Sequence, residues 1–176
     1  MNLFRRLCRD VRASAAAEMA LVAPLLVVLM MGSAELGNYF YSEHILMKAV
    51  RDGARYAARQ SFTFYPAPCT QGAAVGDPVL TNTRTLVKTG VLSGGTDRLV
   101  NWNATTISVT MNCATTATDL NASTQSMTGI YLNRAGGAPL VTVAASVPYT
   151  PVLAGFGFRG VGLSLNASEQ AAVMGI

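Results

Sequence analysis

The feature that most restricts this 176-residue chain is an apolar run from Ala13 to Ala34, interrupted by a single charge, Glu18. A helix rises about 1.5 Å per residue, so ~20 such residues cross the ~30 Å hydrocarbon layer of a bilayer. Four arginines, Arg5, Arg6, Arg9 and Arg12, precede the run, and Asp10 alone opposes them; the first fifteen residues after it hold Glu35, Glu43 and only one lysine, Lys48. Positive charge stays on the cytoplasmic side of a span, so this asymmetry places residues 1–12 inside and the remainder outside. The rival is a cleaved secretory signal, with Gly32-Ser-Ala34 as its processing site; against it, the helix-favouring sequence continues past Ala34 without a break. Pro24 lies inside the run, where a membrane helix tolerates it.

The length fits one domain with an appendage, and the composition argues against a freely soluble cytoplasmic enzyme. Hydrophobic residues make up 51% and charged residues 12%, about half the usual charged share of a soluble domain. The net charge of +4 sits mainly in the N-terminal arginines. A disordered chain and a nucleic-acid-binding surface are both excluded on these grounds.

Beyond the run, Leu36, Tyr39, Phe40, Leu46, Val50, Ala54 and Ala57 mark one apolar helical face, with a six-residue gap after Phe40. Glu43, Lys48, Arg51, Asp52, Arg55 and Arg59 occupy the other side. Ala49, Gly53 and Ala57 form a small-residue row at i, i+4, i+8, which lets another backbone approach closely. An unbroken helix from about Ser14 to Gln60 would be roughly 70 Å long. About half of it would stand outside the membrane, its apolar face covered by the following domain or by a partner helix. The alternative is two helices with a break near Gly37.

At Ser61-Phe-Thr-Phe-Tyr-Pro-Ala-Pro68 aromatics and prolines end the helix. Thr81–Val91 reads as a short amphipathic helix closed by Gly94-Gly95. Thr105–Cys113 alternates Ile107, Val109, Met111 and Cys113; Leu140–Val147 alternates Val141, Val143, Ala145 and Val147; Val161–Met174 offers Leu163, Leu165 and Ala167. The expected fold is therefore α+β, with a long N-terminal helix packed against a small antiparallel sheet. Four segments follow: a leader 1–13, a span 14–35, an amphipathic helix 36–60 and an exported domain 61–176. Between the last two strands, Pro148–Phe158 is apolar, Gly- and Pro-rich and without periodicity. It reads either as an ordinary loop folded over the sheet or as a contact with the membrane surface or a partner.

Of three cysteines, Cys8 precedes the span and would be reduced. Cys69 and Cys113 follow it, in an oxidising compartment where two thiols are expected to pair, two buried free thiols being the alternative. No catalytic set emerges. His44, the one histidine, lies on the expected helix beside Glu43, and neither Lys48 nor Lys88 has a serine partner at the spacing such catalysis uses. Neither Walker nor dinucleotide glycine pattern is present. The expectation is a non-enzyme without cofactor, metal, nucleic acid or small-molecule substrate.

The stretch Arg12-Ala-Ser-Ala-Ala-Ala-Glu-Met-Ala-Leu-Val-Ala-Pro-Leu-Leu26 resembles the start of the TadE-like pseudopilins of the bacterial tight-adherence (Flp) pilus machinery. Glu35-Leu-Gly and Ala49-Val-Arg-Asp-Gly-Ala-Arg-Tyr-Ala-Ala58 also look like that family, while residues beyond 60 are only compatible with it. The resemblance implies a minor pilin or pseudopilin of the inner membrane, with a cytoplasmic N-terminus and a periplasmic domain. Its implied partners are other pilins of that machine and a prepilin peptidase cutting between Ala13 and Ser14. The family has Gly before the cut, where this chain has Ala13. Glu18 would become the fifth mature residue, one turn from the Ser14 amine, and could be neutralised by that amine in its own or a neighbouring subunit during assembly. The simpler reading keeps Glu18 in the headgroup zone near a helix N-terminus, where the dipole favours an acid. Another class of function also stands: an uncleaved single-pass protein that scaffolds a secretion or envelope complex without entering a fibre.

Overall fold

The computed structural model describes residues 11–103, 106–118, 124–157 and 162–175. The N-terminal arginines Arg5, Arg6 and Arg9, with Cys8 and Asp10, lie outside the described residues, as do Thr105, Phe158 and Val161 at the edges of expected elements. Helix α1 runs Val11–Ala58 and continues through both Pro24 and Gly37. The described chain divides into two units. The first holds α1 as far as Phe40 together with the segment from Pro151; the second holds α1 from Tyr41, the remaining helix and the sheet.

In the second unit, strands β1 (Ala73–Ala74), β2 (Ile107–Ala114), β5 (Ala138–Pro148) and β6 (Ser164–Ala172) form one antiparallel sheet in the order β1-β2-β5-β6. A separate hairpin, β3 (Thr116–Thr118) with β4 (Thr124–Ser126), lies between β2 and β5 in the chain. Side chains alternate across a strand, so one parity must face the core. Ile107, Val109 and Met111 of β2 stand opposite Ala145, Val143 and Val141 of β5, and all six are buried. The other parity is polar: Asn112 and Gln170 both donate side-chain hydrogen bonds to the Thr142 hydroxyl, at 2.8 and 3.2 Å. A sheet with one apolar and one polar face needs a single covering layer, and the second half of α1 with helix α2 (Val79–Thr89) supplies it. The architecture is the expected α+β one: a long N-terminal helix packed against a small antiparallel sheet.

Three local expectations change. Helix α2 begins two residues earlier than its sequence suggested and stops at Gly90, whose φ of 86° and N–H to Leu86 O end it before Gly94 and Gly95 are reached. On β6, Leu165 is buried but Leu163 is not, because the strand starts only at Ser164. The apolar face of α1 is buried from Leu46 onward, through Val50, Ala54 and Ala57, whereas Leu36 and Phe40 remain 55% and 52% exposed. The six-residue gap in the periodicity marks that change of environment.

Candidate functional site

Within the first unit, Met19, Leu21, Leu25, Leu26, Val28, Leu29 and Met30 are all exposed. With Ala20, Pro24 and Val27, which are also exposed, they occupy positions round the whole circumference of the helix at about 100° per residue. A helix that is apolar on every side and covered on none suits hydrocarbon, and α1 is long and apolar enough to cross a membrane. The Ser33 hydroxyl donates to Met30 O at 2.9 Å, which meets its one donor inside the helix. Ala13 and Ser14, the expected cleavage pair, fall in the first turns of α1. Glu18 is an exposed residue of the same helix, four positions beyond Ser14.

Glu35 has a contact that no sequence pattern announces. Its two carboxylate oxygens accept the backbone N–H groups of Val152, at 3.3 Å, and Leu153, at 3.0 Å. Leu153 precedes a short 3-10 turn, Ala154–Phe156, closed by Gly157 at φ 94°. The acid and the two amides that donate to it are separated by 117 and 118 residues, beyond any local signal.

In the second unit, the small-residue row is consumed by the fold. Ala49 and Ala57 are fully buried. A Cβ added at Gly53 would collide with the Val87 side chain of α2 and would stand 3.4 Å from Thr83 Cγ2 and 3.7 Å from Val143 Cγ1 of β5. The row therefore admits α2 and the sheet of the same chain, and it lies outside the exposed apolar part of α1. Of the two coverings expected for this face, the following domain and a partner helix, the described residues show the domain.

The end of α1 is closed by distant residues. The Tyr65 hydroxyl donates to Ala57 O, and Met174 N–H donates to Ala58 O at 2.7 Å. These bonds satisfy carbonyls that a helix C-terminus leaves without intrahelical donors. Burial of Tyr65, followed by the neighbouring Tyr56, pushes its phenol well above the usual tyrosine range. Beside this end, the Arg134 guanidinium stacks 4.3 Å from the Phe62 ring, and the Tyr131 hydroxyl donates to Val173 O at 2.8 Å.

Cys69 and Cys113 are joined in a disulfide whose Cα atoms are 5.9 Å apart. Both ends are held independently of the bridge. Cys69 N–H donates to Ala135 O at 2.9 Å, and the Gln71 side chain bonds both the N–H and the carbonyl of Cys113, at 3.2 and 3.0 Å. At Gly136, with φ 83°, a Cβ would press on the Cys69 backbone, so a glycine permits this approach. His44 is exposed on α1, and Lys88 pairs with Asp97 at 3.2 Å.

No curated protein and no solved structure is significantly similar to the chain. The family model described as TadE-like protein matches residues 13–55. That stretch takes in the exposed apolar helix, Glu18, Glu35, and the helical turns that carry Ala49 and Gly53, and it stops short of the sheet. The resemblance read from the Ala-rich start is thus met by the family match, which also reaches into the Ala49–Ala58 segment as far as residue 55; over residues 13–55 the chain is similar to the TadE-like family.

Proposed function

We propose that this protein is a minor pilin or pseudopilin acting in assembly of a Tad (Flp-type) pilus, and through it in adhesion or secretion. The observation that carries the reading is the coincidence of the TadE-like match at residues 13–55 with a helix whose apolar side chains are exposed on every side. A helix of that kind is held by lipid until it is transferred to neighbouring helices, which is the change of surroundings that assembly of a fibre requires. In this reading the N-terminus is cytoplasmic, the sheet-bearing domain is periplasmic, and the chain sits once through the inner membrane. The disulfide is consistent with an oxidising compartment for that domain.

Prepilin peptidase cuts between Ala13 and Ser14, and Glu18 serves assembly by pairing with an amine freed at Ser14. The role is mechanical, by helix association, rather than catalytic. Mass spectrometry of the mature chain tests the proposal. A start at Ser14, with the chain recovered from purified pili, is expected. An intact Met1 start would refute the pilin route and favour an uncleaved envelope scaffold.

A further inference from the structure

Glu35 and the turn it holds belong to the same unit as the apolar part of α1. From Thr150 to Gly157 the chain carries no charge, and Val152 and Phe156 are 69% and 72% exposed. Two apolar side chains thus project from a turn fastened to a helix whose own neighbouring surface is apolar and exposed at Met30, Leu36 and Phe40. Glu35 lies five residues beyond Met30, about 7.5 Å along the axis at 1.5 Å per residue. A bilayer has roughly 5–8 Å of headgroup region on each side of its hydrocarbon core, so a helix whose hydrocarbon-spanning part ends near Met30–Ala34 brings Glu35 into that region.

Backbone amides that leave water need partners, and a loop lacking them is excluded from lipid. Here the carboxylate accepts the two N–H groups at the start of the turn, Val152 and Leu153, while the turn's own bonds use those of Phe156 and Gly157. The segment therefore presents apolar side chains with its leading donors already met. We propose that residues 151–157 form a second membrane contact, an interfacial turn whose Val152 and Phe156 side chains enter the outer headgroup boundary and which Glu35 pins at that depth. The occupant is lipid rather than another subunit, because the adjoining apolar band of α1 runs round the whole helix. A protein partner would cover one stripe of that band, whereas a bilayer surrounds it.

The proposal rests on the membrane-spanning reading of α1, and the test separates the two. The full chain carrying Cys8→Ser, with the Cys69–Cys113 bridge intact, receives one cysteine at Phe156 and, in a second protein, at Leu25. Each is labelled with an environment-sensitive fluorophore and reconstituted in phosphatidylethanolamine–phosphatidylglycerol vesicles. Nitroxide lipids labelled near the headgroup are expected to quench the position 156 label, those labelled deep in the acyl chain the position 25 label, iodide in the buffer is expected to act weakly on both, and Val152→Cys is expected to behave like position 156. Glu35→Ala is expected to shift quenching at 156 from lipid nitroxide to iodide. Iodide quenching at 156 with lipid quenching retained at 25 overturns the interfacial turn alone; loss of lipid quenching at 25 overturns the spanning helix as well. Shielding at 156 from both quenchers that vanishes on dilution of protein in the vesicles assigns the turn to a second copy and overturns the lipid contact. Unchanged lipid quenching in Glu35→Ala overturns the pinning by Glu35.

Discussion

Removing the disulfide with Cys69→Ala and Cys113→Ala should destabilise the sheet-bearing domain by about 4 kcal/mol. The bridge closes a sequence separation of 44 residues, and cross-linking such a loop removes denatured-state entropy worth about 4 kcal/mol at 25 °C in the chain-entropy picture. The native geometry supports charging the loss to the unfolded state. The Gln71 clamp on Cys113 and the Cys69 amide bond to Ala135 remain when both sulfurs are gone. Trp102 is the only tryptophan and is 2% exposed, so its emission reports this domain and nothing else. Urea unfolding of the full chain in detergent, followed at Trp102, converts the loss to a measurable shift. A slope of roughly 2 kcal/mol per molar places the midpoint about 2 M lower in the double variant. An unchanged midpoint, with the wild-type bridge verified by mass, would show that the denatured chain is already restrained and that the loop argument fails here.

Gly53→Leu forces a side chain into the space taken by Val87 and Thr83, and should cost roughly 3 kcal/mol by overpacking despite leucine's better helix propensity; the same Trp102 titration reads it. Tyr65→Phe deletes the hydroxyl donor to Ala57 O and should lower stability by about 1 kcal/mol at neutral pH. The pH dependence follows from the raised phenol pKa values of Tyr65 and Tyr131, both due first to burial. Their contribution is complete below the unfolded tyrosine value near pH 10. It is lost as pH rises above that value toward the higher folded ones. Unfolding midpoints should therefore fall above about pH 10, and fall less steeply in Tyr65→Phe. Glu18→Ala should insert as the wild type does but assemble few pili; normal piliation would remove the ion pair from the assembly mechanism.

Much of the second unit was legible because its signals are local. Val109 stands between Ser108 and Thr110, and Val141 and Val143 flank Thr142; the parity read from that alternation is the parity that is buried. Leu163 misled because alternation does not say where a strand starts, and hydrogen bonding to β5 reaches only as far as Ser164. Ala49, Gly53 and Ala57 announce that something comes close, but small size carries no information on what does; the answer, α2 and Val143, depends on pairing across the sheet. Leu36 and Phe40 repeat with the right spacing, yet they continue the exposed band of α1 rather than the buried one. Glu35 was visible only as one acid after an apolar run, since its partners at Val152 and Leu153 are fixed by the return of the chain more than a hundred residues later. The β3–β4 hairpin had no apolar alternation to betray it: the three described side chains of β4 are all exposed.

The closure of α1 by Met174 has a consequence for biogenesis. Chains are made from the N-terminus, so Ala58 waits more than a hundred residues for the amide that meets its carbonyl, and Leu46, Val50 and Ala54, buried in the finished domain, are made well before β5. During that interval a sticky helix stands bare beside whatever else is being exported. Such a nascent chain is a natural client for a holdase, and the domain can mature only after its last strand has been delivered.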